Sequence, residues 1–73
     1  MRIPEDVDTV RKKYQALRPE LDERGRRLWA AVEAEALGHG GITAVSQATG
    51  LAISTIRLGG QELKSAADGQ SAP

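Results

Sequence analysis

The sequence predicts an all-α protein, a small three- to four-helix domain containing a helix-turn-helix and followed by a disordered C-terminal tail. Three observations carry this expectation. Apolar residues recur at spacings of three and four, which is the helical period. Alanine and leucine dominate the apolar residues, phenylalanine is absent, and only four valines and four isoleucines occur, a bias toward helix over strand. Pro19, the run Gly38-His39-Gly40-Gly41, and Gly50 then cut the chain into pieces. The resulting boundaries are an N-terminal helical region over 1–19, a domain with the helix-turn-helix over 20–64, and a tail over 65–73.

The first helix is expected from Glu5 to Leu17, where Val7, Val10, Tyr14 and Leu17 form one stripe. Glu5, Asp6 and Asp8 complement the dipole at its start, and Pro19 ends it. A second helix should follow with Asp22 as its N-cap. Leu28, Val32 and Ala36 step along one face of it, widened by Trp29 and Leu37. The glycine run from Gly38 to Gly41 stops this helix.

Thr43 is a good N-cap for a short third helix, Ala44 to Thr49, with Val45 and Ala48 facing inward. Gly50 supplies the left-handed residue that closes it, and Leu51 plugs the turn. Ser54 or Thr55 can cap the fourth helix, which carries Ile56 and Leu63. Val45, Leu51 and Ile56 must meet if the two helices are to cross steeply. Gly59 and Gly60 together should cost this helix roughly 2 kcal/mol relative to alanine. From Ser65 onward the residues are small, polar and unpatterned, hence the tail.

Composition excludes several classes. The chain has 73 residues and no cysteine, so disulfides, thiolate metal sites and cysteine nucleophiles are out. His39 is the one histidine, flanked by glycines and expected in solvent; no metal or other cofactor is expected. No apolar run approaches the roughly 18 residues of a membrane span, and the acidic start does not suit a signal peptide, so a cytoplasmic location is expected. Tyr14 and Trp29 lie beside apolar neighbours and are expected to pack in the core.

Ten basic and ten acidic residues cancel overall, but not locally. Residues 11–27 hold seven basic residues (Arg11, Lys12, Lys13, Arg18, Arg24, Arg26, Arg27) and three acidic ones, a net of +4. Such a block suits a phosphate backbone, with Arg24, Arg26 and Arg27 as candidate contacts. The bland reading is a solvated face with pairs such as Glu23 with Arg27. In the fourth helix Arg57 could reach a guanine edge or a phosphate, or instead pair with Glu62. Ser54 and Thr55 could hydrogen-bond phosphate while capping, and Lys64 adds a base at the far end.

Two blocks of residues also carry a resemblance. One comprises Leu17-Arg18-Pro19, Leu21-Asp22-Glu23-Arg24 and Arg26-Arg27-Leu28-Trp29-Ala30-Ala31; the other comprises Gly40-Gly41-Ile42-Thr43-Ala44-Val45, Ala48-Thr49-Gly50-Leu51 and Ser54-Thr55-Ile56-Arg57. Together they resemble the N-terminal segment of the ISAzo family of bacterial insertion-sequence transposases. The resemblance implies a DNA-binding front domain that recognises double-stranded transposon ends. In that family an RNase H-like catalytic domain with metal-binding acidic residues follows. The chain itself is therefore expected not to be an enzyme and to take no small-molecule substrate. It departs from the family's basic recognition helix at Ala52, Ile53, Leu58, Gly60 and Gln61.

The alternative belongs to another class. It is a small helical interaction or homodimerisation module, or a transposase remnant, without DNA binding. The coiled-coil-like stripe at 7, 10, 14 and 17 is its basis.

Overall fold

A computed structural model of the chain describes residues 3–71, and the side chains of residues 7–66. Among these residues every regular element is helical: α1 (Ile3–Leu17), a 3-10 turn (Arg18–Glu20), α2 (Glu23–Leu37), α3 (Gly41–Thr49) and α4 (Ile53–Ser71). None of these helices is long and apolar enough to cross a membrane.

Local chemistry sets most of the boundaries. The 3-10 turn takes Pro19 into its first positions, and the chain then becomes extended at Leu21. Asp22 caps α2 as expected, its Oδ1 accepting from the Gly25 amide at 2.7 Å. Gly38 (φ +78°) ends α2, its amide donating to the Ala34 and Glu35 carbonyls. Gly50 (φ +79°) closes α3 in the left-handed region, its amide donating to the Ser46 carbonyl at 2.9 Å.

Three boundaries differ from the expectation. α3 starts at Gly41 with left-handed Gly40 in the N-cap position, so Thr43 lies inside the first turn and caps nothing. α4 starts at Ile53, and the Ile56 amide already donates to the Ala52 carbonyl at 3.1 Å. Ser54 and Thr55 are therefore first-turn residues rather than caps. The tail expected from Ser65 instead continues α4 as far as Ser71, while residues 72–73 lie outside the described residues.

α3 packs on α1, α2 and α4, and α2 and α4 also pack against each other. Val7, Val10, Ala30, Ala31, Ala34, Ala44, Val45, Ala48 and Ile56 form one core, with Trp29, Leu37, Ile42, Leu51 and Leu63 against it. Tyr14 is buried too and meets Trp29 with ring centroids 5.6 Å apart. The α1 stripe is thus spent on the chain's own core, and only Leu17 of it remains exposed.

The α2 face is the main revision. Val32 is 47% exposed and Ala36 is exposed, whereas Ala30, Ala31 and Ala34 are buried. Close backbone approach explains the choice. A β-carbon on Gly41 would stand 2.1 Å from the Ala34 carbonyl oxygen, and one on Gly59 would stand 2.3 Å from that of Arg27. α3 and α4 each lay a glycine directly on α2, so α2 turns its small residues toward them. Gly59 therefore has a packing role that its helix propensity conceals.

Candidate nucleic-acid interface

The junction between α3 and α4 is three residues, Gly50, Leu51 and Ala52. Two side chains of α3 staple it. The Ser46 hydroxyl donates to the Leu51 carbonyl at 2.7 Å. Thr49 Oγ1 donates to the Val45 carbonyl at 2.8 Å and accepts from the Leu51 amide at 3.1 Å. Beneath the junction, Val45 and Ile56 are almost wholly buried and Leu51 packs against the same cluster. The three residues expected to meet belong to one core, which sets the direction in which α4 leaves the turn.

With Ile56, Gly59 and Leu63 turned inward, α4 presents the opposite face to solvent. Ser54, Arg57, Gln61 and Lys64 are all exposed, at spacings of three, four and three. That spacing places them on one polar stripe. Neither Arg57 nor Lys64 makes an ion pair among the described residues, and Leu58 stands 46% exposed alongside. Arg57, Gln61 and Lys64 also border a groove of about 740 Å³ between α2 and α4, floored by Ala31, Ala34 and Ile56. Gln61 is absent from the candidates read from the sequence, although the spacing 54, 57, 61 and 64 repeats the step pattern of the α1 stripe and points to it.

The remaining candidates lie elsewhere. Thr55 is half-buried on the other flank of α4 and does not share the stripe. Arg27 is engaged: its Nε and Nη2 donate to the two carboxylate oxygens of Glu62 at 2.6 and 2.8 Å. Arg24 stands 3.8 Å from the same carboxylate. Glu62 is thus taken by α2, and neither an Arg57–Glu62 nor a Glu23–Arg27 pair forms. The hydrogen bond from Arg27 holds the Glu62 carboxyl below its ordinary range against an opposing effect of desolvation, with the charges of Arg27 and Arg24 adding to it. The same hydrogen bond raises Arg27.

Arg26 is turned the other way, donating from Nη2 to the Arg18 carbonyl at 3.0 Å. The basic block read as one strip is consequently divided. Lys13 pairs with Glu33 at 3.0 Å and Arg11 with Asp8 at 2.9 Å, Arg24 and Arg27 turn to Glu62, and Arg18 and Arg26, without a carboxylate among the described residues, line a cleft that Arg11 and Arg27 also border. Sequence spacing could not reveal this division, because Glu62 is 35 residues from Arg27.

No family model matches the chain, and no curated protein or solved structure matches it either.

Proposed function

We propose that this chain is the DNA-binding N-terminal segment of an insertion-sequence transposase, binding transposon-end duplex and carrying out no catalysis itself. The observation that supports it most is the exposed stripe Ser54, Arg57, Gln61 and Lys64 on the second of two helices joined by a stapled three-residue turn. A helix presented in this way fits the major groove. Arg57 would take the O6 and N7 of a guanine and Gln61 the N6 and N7 of an adenine. Ser54 and Lys64, at the ends of the stripe, would hold phosphates. The alternative of pairing through the α1 stripe is less well supported, because Val7, Val10 and Tyr14 are buried within the chain.

The test is selection of bound duplexes from a randomised pool, followed by anisotropy titration of the selected sequence beside a scrambled one at two salt concentrations. Preference for the selected duplex, lost in Arg57→Ala, is expected. A helical chain that enriches no sequence and binds neither duplex at low salt would overturn the reading.

A further inference from the structure

A cleft of about 820 Å³ lies on the other side of the molecule's helix junction, where α1, the 3-10 turn, α2 and the α3–α4 turn come together. Four arginines from three elements line it: Arg11, Arg18, Arg26 and Arg27. Two of them already have carboxylates, Asp8 for Arg11 and Glu62 for Arg27. Arg18 and Arg26 have none among the described residues. The one acid on the lining, Glu23, is exposed at the rim, and Thr55 adds a hydroxyl from α4.

Arg26 is the informative member. The Nε–Nη2 edge of a guanidinium accommodates two oxygens side by side, as Arg27 does with Glu62. On Arg26 one of those two places is filled by the Arg18 carbonyl, while Nε is buried with no acceptor. A buried donor left unmatched is costly, so its retention in the fold calls for a reason, and an acceptor arriving from outside the chain is one. Nε is closed off from water in this conformation, so its acceptor must enter as the side chain shifts. The free charge of Arg18 lies on the same cleft, which selects an anion for that acceptor.

We propose that this cleft is a phosphate-binding pocket, with Arg18 and Arg26 as its donors and Thr55 at its edge. The proposal rests on the DNA-binding reading only for the source of the phosphate, which is the duplex backbone in that case and free phosphate otherwise. The chemistry required is the same: a tetrahedral oxyanion offering oxygens to two guanidinium groups.

The Arg26 Nε–Hε resonance in a nitrogen-15 spectrum reports the pocket directly. The full chain would be titrated separately with inorganic phosphate, with sodium chloride at matched ionic strength, and with duplex DNA. Saturating shifts of Arg26 Hε with phosphate and duplex but not with chloride are expected. Arg18→Ala keeps the carbonyl that holds Arg26 and should weaken the phosphate titration by about tenfold or more. Arg26→Lys keeps the charge without the fork and should weaken it as well. Phosphate shifts from a chain that does not bind duplex would support the pocket and sink the DNA reading. Duplex binding with Arg26 unmoved would do the reverse, and equal shifts with chloride would reduce the pocket to charge screening and overturn it.

Discussion

Arg27 on α2 meets α4 twice, once through its backbone and once through its side chain. Its carbonyl lies where only a glycine, Gly59, can pass, and its guanidinium grips Glu62 one turn further along at 2.6 and 2.8 Å. Positions 59 and 62 share a helix face, so the two contacts fix both the separation of α2 and α4 and their register. The same pair decides which cations the surface can offer to a partner, because Glu62 also draws Arg24 to 3.8 Å.

The first prediction concerns acid. Folding lowers the Glu62 pKa below its ordinary value of 4.5, chiefly through the hydrogen bond from Arg27. The unfolded chain therefore binds this proton more readily than the folded one. The stabilisation is fully present above the ordinary value and is lost as pH falls through the lowered one. Denaturant midpoints compared between neutral pH and pH of about 3 should drop more for the wild type than for Glu62→Gln, which has no such proton to bind. Equal drops would remove Glu62 from the acid response.

The two adjacent glycines of α4 should respond in opposite directions. Gly60 has nothing within 4 Å of an added β-carbon, so Gly60→Ala should stabilise by roughly 0.5–1 kcal/mol through helix propensity. At Gly59 the added carbon would lie 2.3 Å from the Arg27 carbonyl oxygen and 3.3 Å from the Ala31 β-carbon. Gly59→Ala should destabilise by about 1–3 kcal/mol, overpacking outweighing propensity. Urea unfolding of the two variants checks the sign of each effect.

These glycines also show what the sequence could and could not disclose. The α1 stripe, the Asp22 cap, the left-handed Gly50 and the convergence of Val45, Leu51 and Ile56 were all legible, because each depends on neighbours in sequence or on helical period. The buried face of α2 was not. Ranking by side-chain size favours Val32, yet the core takes Ala30, Ala31 and Ala34; Gly41 lies against the Ala34 backbone, and Gly59 lies against Ala31 from 28 residues further along the chain. For the interface, Arg57, Ser54 and Lys64 stand out in the sequence by residue type, but Gln61 reads there as a departure from a basic pattern rather than as part of a stripe. Arg24 and Arg27 looked available because their carboxylate, Glu62, lies on another helix.

Capping supplies a second contrast. The Asp22 carboxylate satisfies the Gly25 amide at 2.7 Å, whereas Thr43, an equally plausible cap by residue type, lies within the first turn of α3 after Gly40. Asp22→Ala should cost about 0.5–2 kcal/mol. Thr43→Ala, at an exposed position, should be neutral or slightly stabilising, since alanine is the better helix former. Thermal unfolding followed by circular dichroism distinguishes them, and a loss at Thr43 equal to that at Asp22 would contradict the assigned start of α3.

Glu62 and Arg57 should separate affinity from sequence preference. If the DNA-binding proposal holds, Glu62→Gln releases Arg24 and Arg27 toward phosphates without touching the exposed stripe. Affinity for any duplex should then rise at low salt. Each new phosphate contact should steepen the dependence of log K on log salt by about 0.9, so the two arginines together add up to about 2. Arg57→Ala should instead weaken the selected duplex by about tenfold or more while leaving a scrambled duplex nearly unchanged. Anisotropy titrations over a salt series read both quantities. A Glu62→Gln chain with an unaltered salt slope would show that Arg24 and Arg27 do not reach the backbone. An Arg57→Ala chain that loses both duplexes equally would make Arg57 a phosphate contact and leave base reading to Gln61.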